Sequence, residues 1–436
     1  MKLLIRCLTV ACVVVVLGVP ALAQNPGGLP GTEHVLAGVA FKHAERVVLY
    51  GDVVHYRFDV VVGPGEFDQI RIHRVVKETS PGRPVRKMEG VLLLPGAPQL
   101  FEGIFMQPAS TGVPTDEGSV ALFLASNGVD VWGMDYGWSF IPYGTTNFAF
   151  LEGWGIAKDA EHVRTALSIA RWMRTTSEQG AGPINVLGFS YGGFLAYAVA
   201  GDDTQRPGNL RNIKGIIPVD PTAFKNNLAS GRTTACNSLP NIVANLTAGT
   251  LVTDSSAMML SGQAALNAPD ALSPSGLAAL PPYFLAVPSN TFTNYQWALA
   301  SFVRSLYLGG TYAPSPPSVT TIYTSGPRFI DLLANMPTYV PYQWTYDNTA
   351  SRCESADYPV TFDDHLGEVT VPIFGVARRL SPTLDASTRT ASPDVTSLVL
   401  NPGMIPTLYG HADFLLANDA ASVVWRPILD WILAHR

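Results

Sequence analysis

Six short, solidly apolar runs constrain this chain most: Gly90–Leu94, Val129–Met134, Ile184–Gly188, Ile213–Val219, Val371–Val376 and Thr407–Tyr409. A strand with one wet face alternates apolar and polar residues. An unbroken apolar run must be buried on both faces, which predicts a mainly parallel sheet between two helix layers. Val163, Ala166, Leu167, Ala170 and Met173 supply the helical spacing of such a layer, and an apolar-faced helix broken near Pro427 closes the chain over Ser422–Ala434. Upstream the period changes. Val54, Tyr56, Phe58, Val60 and Val62 alternate with His55, Arg57 and Asp59, Gly63-Pro64-Gly65 makes a turn, and Phe67–Val75 resumes the alternation. This predicts an N-terminal antiparallel hairpin with His55 and His73 on its polar, surface face.

The first 23 residues read as an export signal. Lys2 and Arg6 form a basic start, Cys7–Val19 an apolar run, and Ala21-Leu22-Ala23 a small-residue cleavage site. The run is shorter than the roughly 20 residues of a membrane helix and ends in Pro20. A secreted or periplasmic protein with no stable membrane span after signal cleavage is therefore expected. The balance of 28 Lys+Arg against 34 Asp+Glu offers no basic surface, so no nucleic-acid partner is expected. At 47% hydrophobic and 14% charged residues the chain is neither disordered nor a coiled coil. Cys7 and Cys12 leave with the signal. Cys236 and Cys353, alone in an exported chain, are expected to pair, closing a 117-residue loop for which chain entropy gives about 4–5 kcal/mol.

After Pro221 the strand–helix rhythm stops until about Leu366. From Asp254 to Arg304 the only charged residue in between is Asp270, so much of this stretch is expected to be buried or to face an apolar pocket. The layout is thus a signal peptide (1–23), an α/β core in two parts (24–221 and 367–436) and an inserted cap (222–366), with the disulfide at the cap's base. Met258, Met259, Tyr283, Phe284, Tyr295, Trp297 and Phe302 fit either a cap core or a pocket for apolar acyl groups.

Chemistry concentrates at Gly188-Phe189-Ser190-Tyr191-Gly192-Gly193, between the apolar run Ile184–Leu187 and the apolar helix Phe194–Ala200. A serine at the apex of a strand–turn–helix needs glycines around it, because side chains at 188 or 192 would collide with strand or helix. Serine is a poor nucleophile without a general base. His411 follows the last apolar run in Tyr409-Gly410-His411-Ala412-Asp413-Phe414, where a loop can swing back over the strand ends. An orienting acid placed after the Val371–Val376 strand leaves Asp385 and Asp394, the latter opening a short helix at Ser392-Pro393-Asp394-Val395. No H-E-x-x-H pair, clustered Cys/His, phosphate loop or dinucleotide loop is present, so neither a metal nor a cofactor is expected.

This constellation resembles the α/β-hydrolase superfamily, in particular its acid-lipase and carboxylesterase members, over most of 50–221 and 368–436. The resemblance is carried by Gly90–Gly96, Val120–Trp132 and Gly410-His411-Ala412-Asp413-Phe414. Pro95-Gly96 stands where those lipases carry His-Gly, and Arg378-Arg379-Leu380 where their aspartate usually lies. With that place taken, the resemblance favours Asp394 over Asp385 as acid. It also implies an oxyanion hole of two backbone N–H groups, Tyr191 and Ala97, and a secreted serine hydrolase acting on a small-molecule ester or lipid-like substrate. A serine peptidase or amidase, and a non-catalytic binding module on the same scaffold, are the alternatives.

Overall fold

The computed structural model describes residues 39–436, apart from 87, 108–114, 116–117, 274–291, 315, 379–383 and 401–408. The signal segment, Tyr283, Phe284 and residues 407 and 408 of the last apolar run lie outside the described residues.

Nine strands make the main ladder: β1 (Ala40–Tyr50), β2 (Val53–Val61), β3 (Gln69–Ser80), β4 (Glu89–Leu94), β5 (Val129–Asp135), β6 (Ile184–Phe189), β7 (Ile213–Val219), β8 (Ile373–Ala377) and β9 (Val395–Val399). Their order is β1-β2-β3-β5-β4-β6-β7-β8-β9, and a two-residue strand, Arg83–Pro84, pairs with β3. β1, β2, β3 and β5 pair antiparallel, and every pairing from β5 through β4 to β9 is parallel. The unbroken apolar runs explain the parallel part. Along β4, Val91 and Leu93 enter one core layer with α2 (Val120–Ser126), while Leu92 and Leu94 enter the other with α3 (Ile156–Thr176) and α4 (Tyr191–Thr204). All four are fully buried, each worth about 1.5–3 kcal/mol of transfer free energy.

Three expectations are corrected here. β1 was not foreseen, because most of its residues are exposed and its pattern carries no core signal. Val395–Val399 is an edge strand parallel to β8 rather than part of a helix opened by Asp394. His55 and His73, expected at the surface, are 6% and 0% exposed. The face that carries them is covered by α1 (Phe101–Phe105), whose Phe101 ring stacks 4.4 Å from that of His73. β3 also buries Arg74, which grips Asp130 of β5 through two hydrogen bonds of 2.8 and 3.0 Å, while Arg174 of α3 adds a third at 2.7 Å. Burial alone would raise the Asp130 carboxyl. The two guanidiniums outweigh it and hold that carboxyl below its ordinary value.

Between β7 and β8 the chain builds α5 (Ala229–Thr247), α6 (Ser256–Asn267), α7 (Asn294–Arg304), α8 (Gly326–Ala334) and α9 (Gln343–Cys353). Cys236 on α5 is disulfide-bonded to Cys353 at the end of α9. Trp297, Phe302 and Phe329 are buried; Trp297 packs with Phe292 and Ala300 inside this segment, whereas Phe302 and Phe329 join the core layer that holds Leu93 and Phe101. After β9 come α10 (Asp413–Leu416) and α11 (Arg426–Ala434). A wide π-turn over Ala421–Trp425 precedes α11, and Pro427 sits in its first turn, where no intrahelical N–H is needed. Among the described residues no helix is long and apolar enough to cross a membrane.

Candidate active site

Ser190 ends the β6–α4 turn at φ +54° and ψ −114°, a left-handed conformation costly for a side-chain-bearing residue. The local sequence over-determines it. A Cβ at Gly188 would strike the Gly192 carbonyl, one at Gly192 the Leu94 carbonyl, and one at Gly193 would lie 2.7 Å from Pro221 Cβ. The backbone is pinned as well: Ser190 N–H donates to Val219 O at 3.0 Å, and Thr222 N–H donates to Ser190 O at 3.0 Å. The serine is thereby fixed, half-buried, at the carboxyl ends of β6 and β7.

His411 arrives beside it from the loop before α10. Its ring stacks 4.6 Å from that of Phe189, the residue preceding the serine. Its Nδ1 lies 2.6 Å from Asp220 Oδ2. A carboxylate can only accept, so Nδ1 carries a proton, and in the neutral imidazole Nε2 is then the nitrogen left with a lone pair, the form a general base requires. Asp220 is 1% exposed, and burial by itself would raise its carboxyl. The His411 hydrogen bond and charge, followed by Arg378, draw it below the ordinary value.

No protein-family model and no curated sequence matches the chain. Its likeness lies in solved structures. A candidate lipase from Sulfolobus solfataricus superposes with a TM-score of 0.61 at 19% identity, covering 91% of this chain and 100% of the other. A monoacylglycerol lipase from Paleococcus ferrophilus gives 0.41 at 13% identity over 81% and 97% of the two chains, too low a score to carry argument. The chain has the α/β-hydrolase fold.

Within the α/β-hydrolase fold, the acid beside His411 corrects the expectation from sequence. Asp394 precedes β9, and its carbonyl accepts from Ile373 N–H at the start of β8, so it sits at the amino ends of the strands. Ser190 and Asp220 stand at the carboxyl ends, on the opposite edge of the sheet. The Asp394 carboxylate meets His435 Nε2 instead, at 3.0 Å. Asp385 is buried, but its Oδ2 accepts from Asn227 N–H at 2.7 Å, tying a short 3₁₀ turn to the chain just before α5. Asp220 carried a legible signal: it directly follows the apolar run Ile213–Val219 and lies between Ser190 and His411 in chain order.

Arg378, just past β8, braces this acid. Its Nε donates to Asp220 Oδ2 at 2.9 Å and its Nη1 to Leu306 O at 2.8 Å. Segment 306–309 is knit to the histidine loop: His411 N–H donates to Leu306 O at 3.0 Å, and Ala412 N–H to Tyr307 O at 2.8 Å. Asp413 closes the join by accepting from Gly309 N–H, Gly410 N–H and the Thr324 hydroxyl, at 2.7, 2.6 and 2.5 Å. The Tyr307 ring stands edge-on to His411 at 5.1 Å, and its hydroxyl accepts from Gln99 Nε2 at 2.6 Å. Neither Tyr307 nor Gln99 stood out in the sequence.

The residues expected to bound an oxyanion hole lie around the serine. Tyr191 opens α4, and Ala97 belongs to the loop after β4, joined to Pro98 by a cis peptide bond. That loop presses on the elbow, since a Cβ at Gly96 would lie 3.0 Å from Ser190 Cβ. Behind it, Asp159 accepts from the Tyr191 hydroxyl at 2.5 Å and from the indole N–H groups of Trp138 and Trp154 at 3.0 Å each. Burial pushes the Asp159 carboxyl up to about 6 despite these three donors.

Proposed function

We propose that this chain is an exported serine hydrolase that cleaves carboxylic esters through an acyl-enzyme on Ser190. The observation that carries the reading is the 2.6 Å hydrogen bond from His411 to the buried Asp220, beside a serine held at φ +54°. His411 Nε2 takes the Ser190 hydroxyl proton as the oxygen attacks the ester carbonyl, and Asp220 stabilises the imidazolium that results. The carbonyl oxygen gains charge, which backbone N–H groups of Tyr191 and Ala97 would receive. Collapse of the tetrahedral adduct expels the alcohol, which takes the proton from His411. Water, deprotonated by the same nitrogen, then releases the acid. The basic start, apolar run and small-residue site of the first 23 residues support export.

The test is hydrolysis of p-nitrophenyl esters from acetate to palmitate by the mature chain, beside Ser190→Ala and His411→Ala. Loss of turnover by a thousandfold or more in both variants is expected. The absence of both ester turnover and fluorophosphonate labelling of Ser190 would overturn the reading in favour of a binding module. Labelling without ester turnover would replace it with a peptidase or amidase.

A further inference from the structure

Outside this site, one cluster on β2, β3 and α1 has no role in the proposed reaction. His55 Nε2 lies 2.9 Å from His73 Nδ1, and His73 Nδ1 lies 3.9 Å from Glu102 Oε1. The three potential ligand atoms all fall within 4.8 Å of one another. We propose that His55, His73 and Glu102 bind a divalent transition-metal ion, Zn²⁺ in its simplest form, that ties the N-terminal hairpin to α1.

Three features argue for a ligand set. First, His73 is oriented from behind: its Nε2 donates to Asp135 Oδ2 at 3.1 Å, and Asp135 Oδ1 is itself held by Phe101 N–H at 2.7 Å. A carboxylate behind a histidine fixes the ring and leaves the far nitrogen as a lone pair, the arrangement found behind metal-bound imidazoles. Second, the donors suit the ion. Two imidazoles and one carboxylate form a set that zinc takes tetrahedrally with water in a fourth place; the two ring nitrogens, hydrogen-bonded at 2.9 Å without the ion, would open to about 3.3–3.4 Å around bonds of about 2.0–2.1 Å. Third, the site opens on the side of the flexible ligand. The histidines are buried, whereas the Glu102 side chain is 34% exposed and can turn inward to close the last ångström.

The charges can rearrange to suit. Arg57 donates to Glu102 at 3.2 Å but is also paired with Glu45, so it keeps a carboxylate when Glu102 turns to the metal. Arg71 is occupied by Asp59 at 2.6 Å. In the metal-free pair the shared proton sits on His55 Nε2, because His73 Nε2–H is committed to Asp135. Metal entry moves it to His55 Nδ1, with no net proton release.

The test is calorimetric titration of the full-length mature chain, free of a polyhistidine tag and stripped with EDTA, with ZnCl₂. One Zn²⁺ per chain and a raised Tm are expected, with at least about tenfold weaker binding in Glu102→Gln and loss of binding in His73→Gln. His411→Ala is expected to titrate like the parent, which separates this site from the one at Ser190. The Co²⁺ form is expected to show visible bands that Glu102→Gln alters. A folded parent chain that takes up no stoichiometric Zn²⁺ would overturn the proposal. Uptake that persists unchanged in both Glu102→Gln and His55→Gln would do the same. Should His73→Gln fail to fold, the partly exposed Glu102→Gln decides.

Discussion

Two aspartate–histidine pairs sit at the carboxyl ends of strands in this sheet, and they are built alike. Asp220 follows β7 and holds His411 at 2.6 Å, while Asp135 ends β5 and holds His73 at 3.1 Å. Both acids are almost wholly buried. The pairs differ in what becomes of the other nitrogen. His73 is fully covered and its Nδ1 is taken by His55, whereas the His411 side chain is 15% exposed and lies against Phe189, beside the strained serine. An acid behind an imidazole sets the tautomer in either place. Only access to a nucleophile and to substrate turns that arrangement into a base.

The comparison breaks most visibly at the acids. Asp220→Asn is expected to lower kcat on an ester substrate by about 10³–10⁴, since an amide can favour the wrong imidazole tautomer. Asp135→Asn is expected to leave kcat per folded molecule within a few fold. Steady-state kinetics on both variants, with circular dichroism to normalise folded protein, distinguishes them. Equal losses would mean that Asp135 reaches the chemistry through α1 and the loop before it.

The same contrast shows what the sequence could disclose. Strands buried on both faces announce themselves as unbroken apolar runs, so β4 to β8 and the Ser190 turn were legible from local chemistry. The acid is misplaced by the order rule, because that rule admits every aspartate between Ser190 and His411 and only a place directly after an apolar run, which Asp220 has, marks the carboxyl end of a strand. Asp394 meets the order rule, yet it precedes its strand and falls on the wrong edge. Asp220 lies one strand before the Val371–Val376 strand after which the acid is expected, and Arg378, at that expected place, supports Asp220 instead. His55 and His73 misled for a related reason. Alternation marks a face as polar, but only the packing of α1 on that face shows that it is covered.

A third buried acid sharpens the comparison, since Asp159 has neither histidine nor arginine against it. Its folded pKa of about 6 lies above the unfolded value of about 3.9. The native state therefore binds the extra proton between about pH 4 and 6, and a cost of about 3 kcal/mol carried above pH 6 is relieved as pH falls through that window. Asp159→Asn is expected to abolish this component. Urea midpoints at pH 7 and pH 5 for both proteins measure it, and an identical pH response in the two would show that Asp159 titrates as an ordinary surface carboxylate.

His73→Phe follows, with an expected loss of about 1–3 kcal/mol, because it leaves Asp135 and His55 each short of a buried partner. Its kcat on esters is expected to stay near the parent's. A denaturation curve together with kinetics checks both halves, and a fall in kcat with stability unchanged would invert the assignment of the two pairs.

The smallest effect is expected at Asp394, the acid that the resemblance favours. Asp394 and His435 meet at 3.0 Å, with side chains 43% and 24% exposed, near the amino ends of β8 and β9. Solvent screens such a pair to roughly 0–1 kcal/mol, and the whole sheet stands between it and Ser190. Asp394→Asn should therefore shift the Tm by no more than about 2–4 °C and leave ester turnover unchanged. The chemical substitution is the one proposed for Asp220, so only position distinguishes the two variants. A large loss of turnover in Asp394→Asn would mean that the histidine loop can change its acid, and with it the edge of the sheet on which the reaction is built.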